Sequence, residues 1–135
     1  MTLRLTALPA VVVGGALAAT LAAAPAIAAG TAQHTTLTIS TSTTGTSTVP
    51  QTITGKLMAG STGVTGVVRL VGRFNGSTTF HTLAYRTTAK NGDVTFSVKP
   101  PKGHDQYALV YNGSHKTTPA YDGSHSRTVT VTVKQ

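Results

Sequence analysis

From residue 35 onward, apolar and polar residues alternate along the chain. Leu37 and Ile39 are set among threonines, Val68 and Leu70 flank Arg69, Val94, Phe96 and Val98 interleave with Thr95 and Ser97, and Val129, Val131 and Val133 with Thr130 and Thr132. A period of two sends successive side chains to opposite faces of a strand, so these runs predict strands with one buried face. No window repeats apolar residues at helical spacing for long enough to make a helix. Seven strands are predicted: Thr35 to Thr41, Thr48 to Met58 (with Val49, Ile53 and Leu57), Val67 to Phe74, Thr79 to Thr88, Asp93 to Lys99, Gln106 to Asn112, and Arg127 to Lys134. Short strands at this spacing fit an all-β sandwich.

The punctuation supports the same division. Asn75-Gly76, Asn91-Gly92, Asn112-Gly113 and Asp122-Gly123 are pairs that adopt positive φ readily, as tight turns require. The first two are expected to close consecutive hairpins. Pro100-Pro101 cannot continue a ladder, since proline lacks the N–H, so the chain is expected to change sheets there. The Ser/Thr run around Gly45 reads either as a kink in the first strand or as the end of a flexible leader. The core predicted by alternation comprises Val68, Leu70 and Phe74; Val94, Phe96 and Val98; Tyr107, Leu109 and Tyr111; and Val129, Val131 and Val133. A chain of this size buries about 60 to 70% of its extended surface, enough for an independent domain.

The first residues follow another pattern. Arg4 precedes an apolar stretch from Leu5 to Ala24, and Ala24-Pro25-Ala26-Ile27-Ala28-Ala29 supplies the small residues a signal peptidase needs. Residues 1–28 are read as a secretory signal peptide, 29–46 as leader and first strand, and 35–135 as the sandwich. An uncleaved membrane anchor is the competing reading of the apolar stretch. After cleavage nothing further reads as a membrane span or a wall-attachment signal, so the expected destination is secreted and extracellular, as a monomer.

Composition narrows the chemistry. The 135 residues hold 11 Lys+Arg against 3 Asp+Glu, for a net charge of +8, which falls to about +7 once Arg4 leaves with the leader. Cysteine is absent, which excludes disulfides and thiolate metal sites. The carboxylates are Asp93, Asp105 and Asp122, too few for paired-carboxylate catalysis to be expected. About a fifth of the chain is threonine, a hydroxyl-rich surface suited to exposed sheet faces.

Several runs, taken together, resemble a family. Ile53-Thr54-Gly55-Lys56-Leu57, Gly66-Val67-Val68-Arg69-Leu70, Asn91-Gly92-Asp93-Val94-Thr95-Phe96-Ser97-Val98, Tyr107-Ala108-Leu109-Val110-Tyr111-Asn112-Gly113 and Val129-Thr130-Val131-Thr132-Val133 are similar to the bacterial immunoglobulin-like domains of secreted actinobacterial proteins. The resemblance implies a seven-stranded immunoglobulin-like β-sandwich preceded by a signal peptide. It also implies that Tyr107 caps a corner through a hydrogen bond from its hydroxyl to backbone. The antibody-type disulfide and core tryptophan are missing, and Leu109 and Leu70 are expected in their places. The enediyne-carrying chromoproteins, also small secreted sandwiches, are disulfide-bonded and acidic, unlike this chain.

Candidate sites are sparse. Tyr111-Asn112-Gly113-Ser114-His115 is echoed by Tyr121-Asp122-Gly123-Ser124-His125. His115, Asp122 and His125 are ligand types for zinc or copper, and Ser114, His115 and Asp122 are the types of a catalytic triad, but two turns anchored by tyrosines explain the echo more simply. No metal, cofactor or catalytic residue is assigned, and the chain is expected not to be an enzyme. Asn75-Gly76-Ser77 and Asn112-Gly113-Ser114 match the glycosylation pattern but read as turns. The remaining signal is basic. Arg69 and Arg73 are expected on the outward face of the third strand, roughly 7 Å apart, with Lys56 and Lys99 outward on the other sheet, and Ala108 and Val110 beside the arginines. The expected function is a secreted, non-enzymatic interaction module associated with the cell envelope. The alternatives are binding of an anionic envelope polymer (teichoic acid, nucleic acid or acidic polysaccharide) through Arg69, Arg73, Lys56 and Lys99, or a loop-based enzyme or inhibitor.

Overall fold

The computed structural model describes residues 31–135, so the signal-peptide reading of residues 1–28 lies outside the described residues. Ten strands follow in order: β1 (Thr36–Thr41), β2 (Thr44–Thr46), β3 (Gln51–Ala59), β4 (Thr62–Gly63), β5 (Val67–Phe74), β6 (His81–Thr87), β7 (Asp93–Val98), β8 (Gly103–Tyr111), β9 (Ser124–His125) and β10 (Val129–Lys134), with no helix among them. Each of the seven expected segments overlaps one of the longer strands, and β2, β4 and β9 are short additions.

The strands form two sheets. In the smaller, β3 lies between β1 on one side and β7 and β4 on the other. The larger runs β2-β10-β8-β5-β6, with β9 also beside β8. Every named pairing is antiparallel except that of β2 with β10. The inner faces meet in one core of Ile53, Leu57, Val68, Leu70, Phe96, Tyr107, Leu109 and Val131, each at most 1% exposed, with Leu37, Ile39, Val94, Tyr111, Val129 and Val133 around them. This all-β, two-layer arrangement has the form of a β-sandwich, the solution open to sheets that are each apolar on one side.

Alternation located most of that core, while Phe74 and Val98 lie half-buried at its margin. Val49 does not join it: β3 begins only at Gln51, after Pro50, and Val49 is 59% exposed. Val64, between β4 and β5, is a core aliphatic that alternation did not pick out.

The Ser/Thr run around Gly45 is a kink at which the chain changes sheets, from β1 in the smaller to β2 in the larger. Gln51 holds it: its side-chain amide donates to Thr41 Oγ1 (2.9 Å) and to the Ser42 carbonyl (2.6 Å). A Cβ at Gly45 would overlap the Gln51 side-chain oxygen, so a larger residue there would displace the amide that holds the kink.

Of the two turns expected to close hairpins, the first does so, joining β5 to its antiparallel neighbour β6, and the second does not. Asn75 and Gly76 both have positive φ (50° and 82°), and Ser77 N–H donates to the Phe74 carbonyl (3.0 Å), a tight turn of the primed kind at the end of β5. Asn91-Gly92 also turns the chain, with Gly92 N–H donating to the Ala89 carbonyl (2.9 Å). It closes no hairpin, because β6 and β7 belong to different sheets. The crossing is tied by Thr88, whose buried hydroxyl donates to the Val64 carbonyl and accepts from Gly66 N–H (2.9 Å). The crossing from β7 to β8 falls at Pro100-Pro101 as expected.

Candidate functional site: the outer face of the larger sheet

Pairing of β5 with β6 on one side and β8 on the other lays the outward side chains in transverse rows. Arg69 lies between Tyr85 and Val110, Val71 between Thr82 and Ala108, and Arg73 beside Gln106. A register shift between Leu70 and Val71 leaves Leu83 as an extra residue in β6, which twists this edge of the sheet. Val71 and Ala108, though outward, are buried, whereas Val67 is 56% and Tyr85 64% exposed.

Both arginines lie on this face, and neither touches a carboxylate. Arg69 Nη1 donates to Thr82 Oγ1 (3.1 Å), while its Nε is buried without a hydrogen-bond partner. Arg73 Nε donates to Gln106 Oε1, Gln106 Nε2 donates to Thr130 Oγ1 (3.2 Å), and the Arg73 guanidinium sits 4.7 Å from the centre of the Phe80 ring. The expected spacing fails: the two positions are four residues apart, about 13 Å at 3.3 Å per residue, with Val71 between. Successive phosphates on one extended strand are therefore not matched by this pair.

The four basic candidates do not converge. Lys56 is on β3 and Lys99 follows β7, both in the smaller sheet, away from β5. Lys56 Nζ makes an ion pair with Asp93 Oδ1 (3.0 Å), and both side chains are well exposed, a pairing worth at most about 1 kcal/mol.

Tyr107 is fully buried, but its hydroxyl has no hydrogen-bond partner among the described residues, so the expected corner bond to backbone is not made. The residue lies mid-strand, opposite Gly72 on β5 and Val129 on β10, where neighbouring backbone is already paired. Its ring meets Phe74 edge-on (6.1 Å between centres) and lies over Gly72, where a Cβ would come within 3.2 Å. Burial, reinforced by the charge of Asp105, pushes its pKa up to about 12. Asp105, two residues earlier on the same inward face, is fully buried, and neither carboxylate oxygen has a hydrogen-bond partner. Burial raises its pKa; the Asn75 backbone amide and His104 pull partly the other way, although the Asn75 N–H itself donates to the His104 carbonyl (2.9 Å). Sequence reasoning missed Asp105 by starting the strand at Gln106; carrying the alternation of Tyr107, Leu109 and Tyr111 one step back finds it.

The echoed motifs form a loop. Ser114 and Tyr121 exchange backbone hydrogen bonds (2.8 and 2.7 Å), and Ser114 Oγ accepts from Thr117 Oγ1 (3.2 Å). Among the described residues no three His, Cys, Asp or Glu side chains gather closely enough to hold a metal ion. Where this loop meets the sheet there is a groove of about 380 Å³, walled by Val67, Arg69, Tyr85 and Val110 on the sheet side and by Asn112 to Ser114 and Thr117 on the loop side. Nothing in the sequence pointed to it, since Tyr85 and Asn112 are brought together only by the pairing of β5 with both neighbours.

No family model matches the chain, and no curated protein matches it. Among solved structures the chain is similar to Escherichia coli alpha-2-macroglobulin activated by porcine elastase, with a TM-score of 0.54 and 12% identity. The match covers 77% of this chain and 13% of that one, so this chain spans a small part of that protein's length. At this identity the likeness is one of fold: a β-sandwich unit found within a much larger protein.

Proposed function

We propose that the chain is a secreted, non-enzymatic immunoglobulin-like module that recognises its partner through the outer face of the larger sheet. The observation that carries this reading is the separation of charge. Arg69 and Arg73 share that face with exposed Tyr85 and Val67, while Asp93 stands in the smaller sheet, Asp105 in the core and Asp122 in the loop before β9. An acid-free face with an aromatic and an aliphatic at its rim suits an anionic partner that also offers apolar surface. The immunoglobulin-like assignment draws on the motifs of β3, β5, β7, β8 and β10 and on the first strand divided between two sheets. Secretion draws on the leader sequence.

The same face favours an anionic envelope polymer as the partner. The test is retention of the exported protein on washed cells and on a heparin column, each eluted with rising salt, because release of counterions makes such binding fall steeply with salt. Arg69→Ser/Arg73→Ser is expected to elute at lower salt, and Val67→Ser/Tyr85→Ser to reduce retention on cells. Unchanged retention of both double variants would overturn the reading.

A further inference from the structure

We propose that the groove beside Arg69 is a saccharide site that takes a sugar residue bearing a carboxylate, as in a uronate. This rests on the reading above, that the outer face of the larger sheet meets an anionic polymer, and assigns the polymer's chemistry. At about 380 Å³ the groove falls within the range of small-ligand pockets, roughly 300 to 1,000 Å³. Its walls divide in a way that suits a pyranose. Tyr85, 64% exposed, presents an aromatic face of the kind that covers the C–H side of a sugar ring, and Val67 and Val110 continue that apolar wall. Across from them Asn112 brings an amide able to donate to and accept from sugar hydroxyls, and Thr117, whose hydroxyl already donates to the Pro119 carbonyl (2.8 Å), an oxygen able to accept from one.

One polar side chain at the groove has unmet capacity. Arg69 spends Nη1 on Thr82, but its Nε has no acceptor. A buried donor left unpaired is costly, so a ligand that accepts from it is bound with that cost relieved. A guanidinium is a planar fork matched to a planar carboxylate, and a single arginine with no second cation among the lining residues balances one negative charge better than the nearly two of a phosphate monoester.

The experiment is a titration of the exported protein with a glucuronate-containing disaccharide, followed by backbone amide NMR shifts. Its neutral carboxamide derivative and inorganic phosphate are titrated in parallel. The expected result is a dissociation constant on the order of 1 mM, with shifts centred on Val67, Tyr85 and Asn112. The carboxamide, Arg69→Gln and Tyr85→Ala are each expected to weaken binding by at least about fivefold. Lys90→Gln, which removes the same charge from an exposed turn, is expected to leave it unchanged. Amide spectra of the variants establish that each remains folded. Equal binding of the carboxamide, equal affinity for inorganic phosphate, or an equal loss in Lys90→Gln would overturn the proposal. If the disaccharide fails to bind while heparin retention persists, the groove assignment is wrong and the charged face stands; if both fail, both readings fall.

Discussion

Leu109 on β8 fills the space that a side chain at residue 55 on β3 would need. A Cβ on Gly55 would overlap Leu109 Cδ1 and come 2.9 Å from the Thr38 carbonyl oxygen and 3.2 Å from Val94 Cγ1. The two sheets thus approach across the core through a glycine on one side and a leucine on the other, with Leu70 beside Leu109 in the register of β5 and β8. The backbone of β1 cannot yield without breaking its ladder with β3, so Gly55→Ala is expected to cost about 1 to 3 kcal/mol by overpacking. Urea denaturation checks this, and an unchanged midpoint would show that the layers can separate at no cost.

Thr88 is the polar lock of the crossing from β6 to β7. Thr88→Val keeps the shape and the bond from its own N–H to the Gly66 carbonyl (2.9 Å), but strands the Val64 carbonyl and the Gly66 N–H. A loss of about 2 kcal/mol is expected in the same denaturation. Thr88→Ser, which restores the hydroxyl, is expected to recover most of it.

Tyr107→Phe reverses the direction that the resemblance implied. Removing a desolvated hydroxyl without a partner leaves stability unchanged or raises it by up to about 1 kcal/mol. Because burial holds the folded-state pKa near 12 against an ordinary 10.0, the unfolded chain sheds this proton first, and the wild-type protein loses stability as pH rises through that interval. The difference between wild type and Tyr107→Phe, followed by thermal melts, is expected to widen in favour of the variant over the same range.

Asp105 sets the behaviour at low pH. Its folded-state pKa is raised above the ordinary 3.8, so between that value and the raised one the folded chain holds a proton that the unfolded chain has lost. Stability on this account falls as pH climbs through the window and stays lowered at neutrality. Asp105→Asn is therefore expected to melt higher than wild type at pH 7, with the advantage shrinking as pH approaches 3.8. A variant that melts lower at pH 7 would mean that the carboxylate is stabilising in its charged form.

The parts of this architecture legible in the sequence are those where one residue decides one face. Val129, Val131 and Val133 are inward because a strand with one buried side has no other way to place three valines two apart. What escaped depends on neighbours far away in sequence. Asn91-Gly92 has the chemistry of a turn, but whether the chain returns to the same sheet or crosses to the other is decided by pairing of Asp93 with Lys56, not by the turn. The corner role given to Tyr107 failed because its register partners, Gly72 and Val129, place it mid-sheet. The outward arginines were found by alternation; the groove was not, because it depends on a loop folding back through Ser114 and Tyr121.

The switch of the first strand between sheets also decides how the domain carries load. β2 runs parallel to β10, tied by Thr132 N–H to the Thr43 carbonyl (2.8 Å) and Ser47 N–H to the Lys134 carbonyl (3.0 Å). In a parallel pair made from an early and a final strand, tension between the two ends drags the strands past each other along their length. The hydrogen bonds lie across that motion, so they resist together in shear instead of parting one at a time like a zipper. The kink around Gly45, held by Gln51, which in the resting molecule only redirects the chain, is then what sets β2 in line to share that load with β10.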